Sequence, residues 1–98
     1  MTLISDENSE KLPVIRVYAT KTCGFCHAAK ALLETEGWHY ESIDLTNRPD
    51  ERQALIRTTG KRTVPQIFVG EVHIGGYTEL RAARDSGRLN ALMHRRCT

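Results

Sequence analysis

At 98 residues the chain suffices for one domain with a small core and is too short for two of ordinary size. Its 14 Lys and Arg against 12 Asp and Glu leave a net charge of +2, too little for an electrostatic nucleic-acid or membrane-surface binder. Three cysteines are too few, and odd in number, for a disulfide-stapled secreted scaffold, and no apolar run nears the ~20 residues of a membrane span.

Residues 1–12, with the polar and acidic run TLISDENSEK, are expected to be a disordered tail, and residues 13–98 to form the domain. The start lacks a basic stretch followed by an apolar one, so the expected compartment is the cytoplasm. Val14–Ala19 (VIRVYA) is short and rich in β-branched and aromatic residues, which predicts a buried strand. A helical pattern follows, with Ala28, Ala31, Leu32 and Thr35 at i, i+3, i+4 and i+7, and Gly37 as its stop. Trp38–Leu45 alternates in part and predicts a second strand, parallel to the first across so short a crossover. Asn47-Arg48-Pro49-Asp50 offers a capping Asn and a first-turn Pro to a helix through Ala54, Leu55 and Ile56 to Gly60. Gln66–Val69 and Val72–Ile74 flank Gly70-Glu71 as a two-residue hairpin. Thr78–Ser86 is a further helix stopped by Gly87, and Leu89–His94 adds another turn or two. The order β-α-β-α-β-β-α predicts an α/β domain, a mixed four-stranded sheet flanked by helices.

Cys23-Gly24-Phe25-Cys26 sits where the first strand gives way to the first helix. Free N–H groups and the helix dipole stabilise a thiolate at Cys23, and Lys21 adds a nearby cation. The thiolate is the attacking species in disulfide exchange. Cys26, nearly one helical turn on, is placed to resolve a mixed disulfide at Cys23 and is expected to keep its proton more tightly. Paired cysteines in the strand-to-helix turn of a βαβ unit are a redox signature. Three rivals use the same atoms. Cys23-x-x-Cys26-His27 is also a c-type haem attachment pattern, with Met93 as a second ligand. Zinc would join Cys23 and Cys26 to His94 and Cys97, although Cys97 reads more simply as an incidental thiol. Iron–sulfur ligation needs soft thiolates and is compatible with redox work.

Thr63-Val64-Pro65 precedes the third strand, where a Pro, lacking an N–H, belongs. A cis Val64–Pro65 bond would turn the Val64 backbone toward an extended, peptide-like ligand; a plain trans Pro is the alternative. Gly75-Gly76 precedes Tyr77-Thr78-Glu79 at another helix start, a natural place for a carboxylate.

With VYATKTCGFCHAAKALL, TGKRTVPQIFVG and HIGGYTELRAARDSGRLNALM, the chain resembles the glutaredoxins of the small dithiol bacterial type, over about Val14 to Leu92. The resemblance implies a thioredoxin-like fold, a cis Pro65 and glutathione as reductant. It implies that Cys23 is the nucleophile that takes glutathione as a mixed disulfide and that Cys26 resolves. It further implies that Lys21 and Arg52 meet the glycyl carboxylate of glutathione. Thr63, Val64 and Pro65 would form the turn whose Val64 backbone pairs with the cysteinyl part. Gly76, Tyr77 and Thr78 would hold the γ-glutamyl end, with Phe25 beside the site. The implied partners are glutathione and disulfide-bonded or glutathionylated proteins, ribonucleotide reductase among them, with the protein a monomer.

Two departures bear on function. Gly24 stands where the dithiol motif commonly has Pro, which loosens the helix start. This favours an alternative function, a glutathione-ligated [2Fe–2S] cluster on Cys23 in a dimer. Thr78 stands where the family usually has an Asp for the α-amino group of glutathione, and a hydroxyl binds that charge less strongly. Glu79 follows it. Thr78 thus motivates a second alternative, a redoxin reduced by thioredoxin reductase.

Overall fold

A computed structural model describes residues 13–94. The elements run β1 (Ile15–Ala19), α1 (Gly24–Thr35), β2 (Glu41–Asp44), α2 (Pro49–Thr59), β3 (Gln66–Val69), β4 (Val72–Gly75), α3 (Tyr77–Ser86) and α4 (Arg88–His94). The expected N-terminal tail and Cys97 lie outside the described residues.

The sheet order is β2-β1-β3-β4. β1 pairs with β2 in parallel, Arg16 opposite Glu41, and with β3 antiparallel, Ile15 opposite Val69 and Tyr18 opposite Gln66. β3 and β4 form the expected hairpin, with Val69 opposite Val72. These directions bring three chain ends to one edge of the sheet: the exit of β1, the entry to β3 and the exit of β4. The chemistry is built there.

β1 alternates, as a strand with a different surface on each face must. Ile15, Val17 and Ala19 enter the main core, with Ala29, Leu32 and Leu33 of α1, Leu80 and Ala83 of α3, and Leu89 and Met93 of α4. Tyr18 faces the other way, edge-on to Phe68 with ring centroids 5.7 Å apart, in a smaller cluster with Leu45 and Leu55. β3 is buried along its whole length, so its apolar run needs no alternation.

Three expectations are corrected. The buried face of α1 is Cys26, Ala29, Leu32 and Leu33, whereas Ala31 and Thr35 are exposed and Ala28 half-buried. The spacing was right and its phase wrong, because alanines weigh little in the pattern and Cys26 is itself a core residue. The second strand covers Glu41–Asp44 only. It is an edge strand with one partner, and Trp38 and Tyr40 pack on the core from irregular backbone. Asn47 is not the cap of α2: Arg48 holds that position without a side-chain bond, and Pro49 begins the helix.

Candidate functional site

Cys23 is the N-cap of α1, in extended backbone, and its Sγ accepts from the Cys26 N–H at 3.2 Å. A sulfur here does the work that Ser or Asp does at other helix starts, and negative charge on it meets the positive end of the helix. On its other side the Cys23 thiol reaches the Val64 carbonyl oxygen at 3.5 Å. The Val64–Pro65 bond is cis. The first helix and the turn before β3 thus meet at one sulfur.

Both cysteines are free thiols with different surroundings. Cys23 is half-buried at the rim, and Cys26 is 1 % exposed. Burial, and next its thiol's hydrogen bond with Cys23, push the Cys26 thiol from 9.0 up to about 11.

The third wall is the start of α3. Gly76 caps it, and the Glu79 carboxylate turns back to accept from the Gly76 N–H at 2.9 Å. Gly75 allows this with φ at +123°, a conformation that suits only glycine. A Cβ at Gly75 would stand 2.9 Å from the Glu79 Cβ and Cγ. Phe25, 65 % exposed, stacks on Tyr77 across the gap between α1 and α3, with centroids 6.0 Å apart. Between these walls runs a groove of about 260 Å³, lined by Phe25, Thr63, Val64, Pro65, Gly76, Tyr77, Thr78 and Glu79. A neighbouring polar cavity of about 360 Å³ shares Thr63, Gly76 and Glu79 with it and reaches Lys61, Gln66 and His73. Cavities of about 350 Å³ against α2 and about 420 Å³ beside Trp38 share no residue with this groove.

The structure therefore gathers Phe25, Thr63, Val64, Pro65, Gly76, Tyr77 and Thr78 around one groove; Cys23 does not line it and meets it through its bond to the Val64 carbonyl. Lys21 and Arg52 do not line it. The Lys21 backbone N–H donates to Thr46 Oγ1, and the Arg52 guanidinium donates to the Arg62 carbonyl at 2.9 Å. Glu79 belongs to the groove although the sequence-based set of binding residues omits it. Its signal was present: a Glu three residues after a capping position folds back on the helix start.

Among the described residues no three His, Cys, Asp or Glu side chains converge, and Cys97 of the zinc reading lies outside them. Met93 is buried in the main core. His94 bonds the Asn90 carbonyl and packs edge-on to Trp38.

Residues 15–74 match the family model described as Glutaredoxin. A glutaredoxin of Pseudomonas aeruginosa is 39 % identical over 82 residues, which covers 84 % of this chain and 98 % of that one. Glutaredoxin 3 of Escherichia coli K12 is 37 % identical over 79 residues, covering 81 % and 95 %. Among solved structures, a buckwheat glutaredoxin–glutathione complex superposes with a TM-score of 0.78 at 31 % identity, covering 86 % of this chain and 79 % of that one. The solution structure of a Brucella melitensis glutaredoxin gives 0.76 at 36 % identity, covering 85 % and 90 %. The fold is thioredoxin-like.

Proposed function

The chain belongs to the glutaredoxin family, and from that membership we propose that it is a glutathione-dependent thiol–disulfide oxidoreductase working through Cys23 and Cys26. The observation that carries this reading is the asymmetry of the pair. One sulfur caps a helix at the rim of a groove, and the other is buried and holds its proton to about 11.

The Cys23 thiolate attacks the glutathionyl sulfur of a mixed disulfide. A Cys23–glutathione disulfide forms, and the substrate leaves as its thiolate and takes up a proton. A second glutathione thiolate attacks the bound glutathionyl sulfur, which yields oxidised glutathione and returns Cys23 as thiolate. With a protein disulfide, Cys23 attacks one sulfur and releases the other. Cys26 then gives up its proton and attacks Cys23. The reduced protein departs, the enzyme keeps a Cys23–Cys26 disulfide, and two glutathiones reduce it. Cys26 is suited to this later step, since its proton keeps it silent while Cys23 reacts.

The groove suits a peptide-like thiol. The cysteinyl part of glutathione lies along Val64, and the γ-glutamyl end reaches Gly76, Tyr77 and Thr78. The Glu79 carboxylate supplies the negative charge for the α-amino group that Thr78 lacks. Phe25 and Tyr77 stack on each other and give the groove an aromatic wall. Lys21 and Arg52 lie beyond the groove wall and are the cations proposed to meet the glycyl carboxylate. Free thiols fit a reducing compartment, and the cytoplasm is the proposed one. No helix among the described residues is long and apolar enough to cross a membrane.

Nothing crowds the position of a Cβ at Gly24, which leaves room beside Cys23 for a second reading, a [2Fe–2S] cluster shared by two chains. That reading asks this chain for one ligand, the half-buried Cys23, with glutathione as the other in each of two chains; Cys26, buried and holding its proton to about 11, takes no part in it. Anaerobic reconstitution with glutathione separates the readings, since the redox enzyme stays a colourless monomer and a cluster protein turns brown and dimerises.

The direct test uses Cys26→Ser with oxidised glutathione and mass spectrometry after digestion. The expected product carries one glutathionyl group on the peptide of Cys23. An unmodified Cys23 with label elsewhere contradicts the assignment.

A further inference from the structure

Gln66 is the polar member of the buried set, 2 % exposed, at the first position of β3. Its Nε2 lies 2.9 Å from the Thr63 carbonyl oxygen and 3.4 Å from Thr63 Oγ1. Its Oε1 lies 2.7 Å from Nε2 of His73, on β4. The directions follow from the groups themselves. A carbonyl only accepts, so the amide nitrogen faces Thr63 and the amide oxygen faces His73. That oxygen also only accepts, so His73 Nε2 carries the hydrogen. The imidazole is held against the Phe68 ring, with centroids 4.9 Å apart.

The residue after Thr63 is Val64, whose carbonyl meets the Cys23 sulfur. A continuous line therefore runs from His73 through the Gln66 amide to the Thr63–Val64 turn and on to Cys23. The Gln66 amide is buried and has partners on both sides, the exposed Thr63 and the half-buried His73, and a buried amide that loses a partner lets its neighbours shift.

We propose that His73 and Gln66 are positioning residues for disulfide exchange: they fix the Thr63–Val64 backbone against which the peptide-like thiol substrate lies beside Cys23. The inference rests on the redox reading above. Neither side chain touches the reacting sulfurs, and both act through the turn.

The test compares wild type with His73→Phe, which keeps the ring packing and removes the donor, and His73→Gln, which restores an N–H donor. Gln66→Glu keeps the shape and the His73 contact while losing the donor to Thr63. Two readouts are taken on the folded, reduced proteins: KM and kcat for a glutathione mixed disulfide, and, by NMR, the backbone order parameter of Val64 beside hydrogen exchange along β3 and β4. Loss of one buried hydrogen bond predicts a KM raised about three- to tenfold in His73→Phe and Gln66→Glu. The same account predicts a kcat changed by less than about twofold. The Val64 amide becomes more mobile, with a lower order parameter, and His73→Gln restores both KM and the order parameter. An unchanged KM with an unchanged Val64 amide overturns the inference. So does faster exchange spread evenly over β3 and β4 with KM unchanged, since that is a loss of stability alone. If wild type itself shows no turnover, the redox reading fails separately, and the Val64 amide still decides whether His73 holds the turn.

Discussion

A thiol enclosed by protein keeps its proton to higher pH than one in water, because burial penalises the anion. Cys26 titrates near 9.0 unfolded and at about 11 folded, with burial the first cause. Below pH 9 both states hold the proton and stability is at its full value. Between pH 9 and 11 the unfolded state loses its proton first, so stability falls as pH rises. Urea midpoints of the reduced protein are expected to drop across that window, and Cys26→Ser to flatten the drop. Tyr40, pushed to about 12 by burial and then by the Glu34 carboxylate it donates to, adds its own loss above pH 10 in both proteins. An equal drop with and without Cys26 contradicts the assignment. In turnover, Cys23→Ser is expected to fall below detection. Cys26→Ser is expected to keep most of its rate on glutathione mixed disulfides and to lose protein-disulfide reduction. The placement of the two cysteines, the first at the start of a helix and the second inside it, was legible in the sequence. The turn of Glu79 toward the Gly76 N–H had a signal in its spacing from the cap, but the space that admits it did not, because that depends on the backbone at Gly75.

Helix ends show where local sequence decides and where it does not. Gly60 and Gly87 stop α2 and α3 in the left-handed region, which glycine adopts without a Cβ penalty, so both stops were readable. The phase of α1 was not, because Ala28, Ala31 and Thr35 carry too little apolar weight to outvote the tertiary contacts of Cys26 and Leu33. At the start of α3, Gly75→Ala places a Cβ against Glu79 in a backbone conformation that alanine resists. It is expected to cost at least about 2 kcal/mol by urea denaturation and to weaken glutathione binding, as Glu79 is displaced. Gly24 is the contrasting case, helical and with nothing within 4 Å of a Cβ. Gly24→Ala is expected to raise stability by about 0.4–1 kcal/mol through the unfolded state. A destabilised Gly24→Ala, or a neutral Gly75→Ala, contradicts this account of the two helix starts.

The site exists because three segments far apart in the chain end at the same edge of one sheet. The strand order and the directions of β1, β3 and β4 bring Cys23, the Thr63–Pro65 turn and the Gly76 cap together. The βαβ unit and the hairpin were each visible locally. Their joining through the β1–β3 pair is a long-range contact that no local pattern encodes, and it alone sets Val64 against Cys23. Lys21 and Arg52, named from family resemblance, do not line the groove; the Lys21 backbone N–H donates to Thr46 and the Arg52 guanidinium to the Arg62 carbonyl. The central claim is tested most directly by following NADPH loss in a mixture of this protein, a glutathione mixed disulfide, glutathione and glutathione reductase. The account predicts steady turnover that Cys23→Ser abolishes and Cys26→Ser largely keeps. No turnover by the folded, reduced protein, or turnover that survives Cys23→Ser, would contradict it.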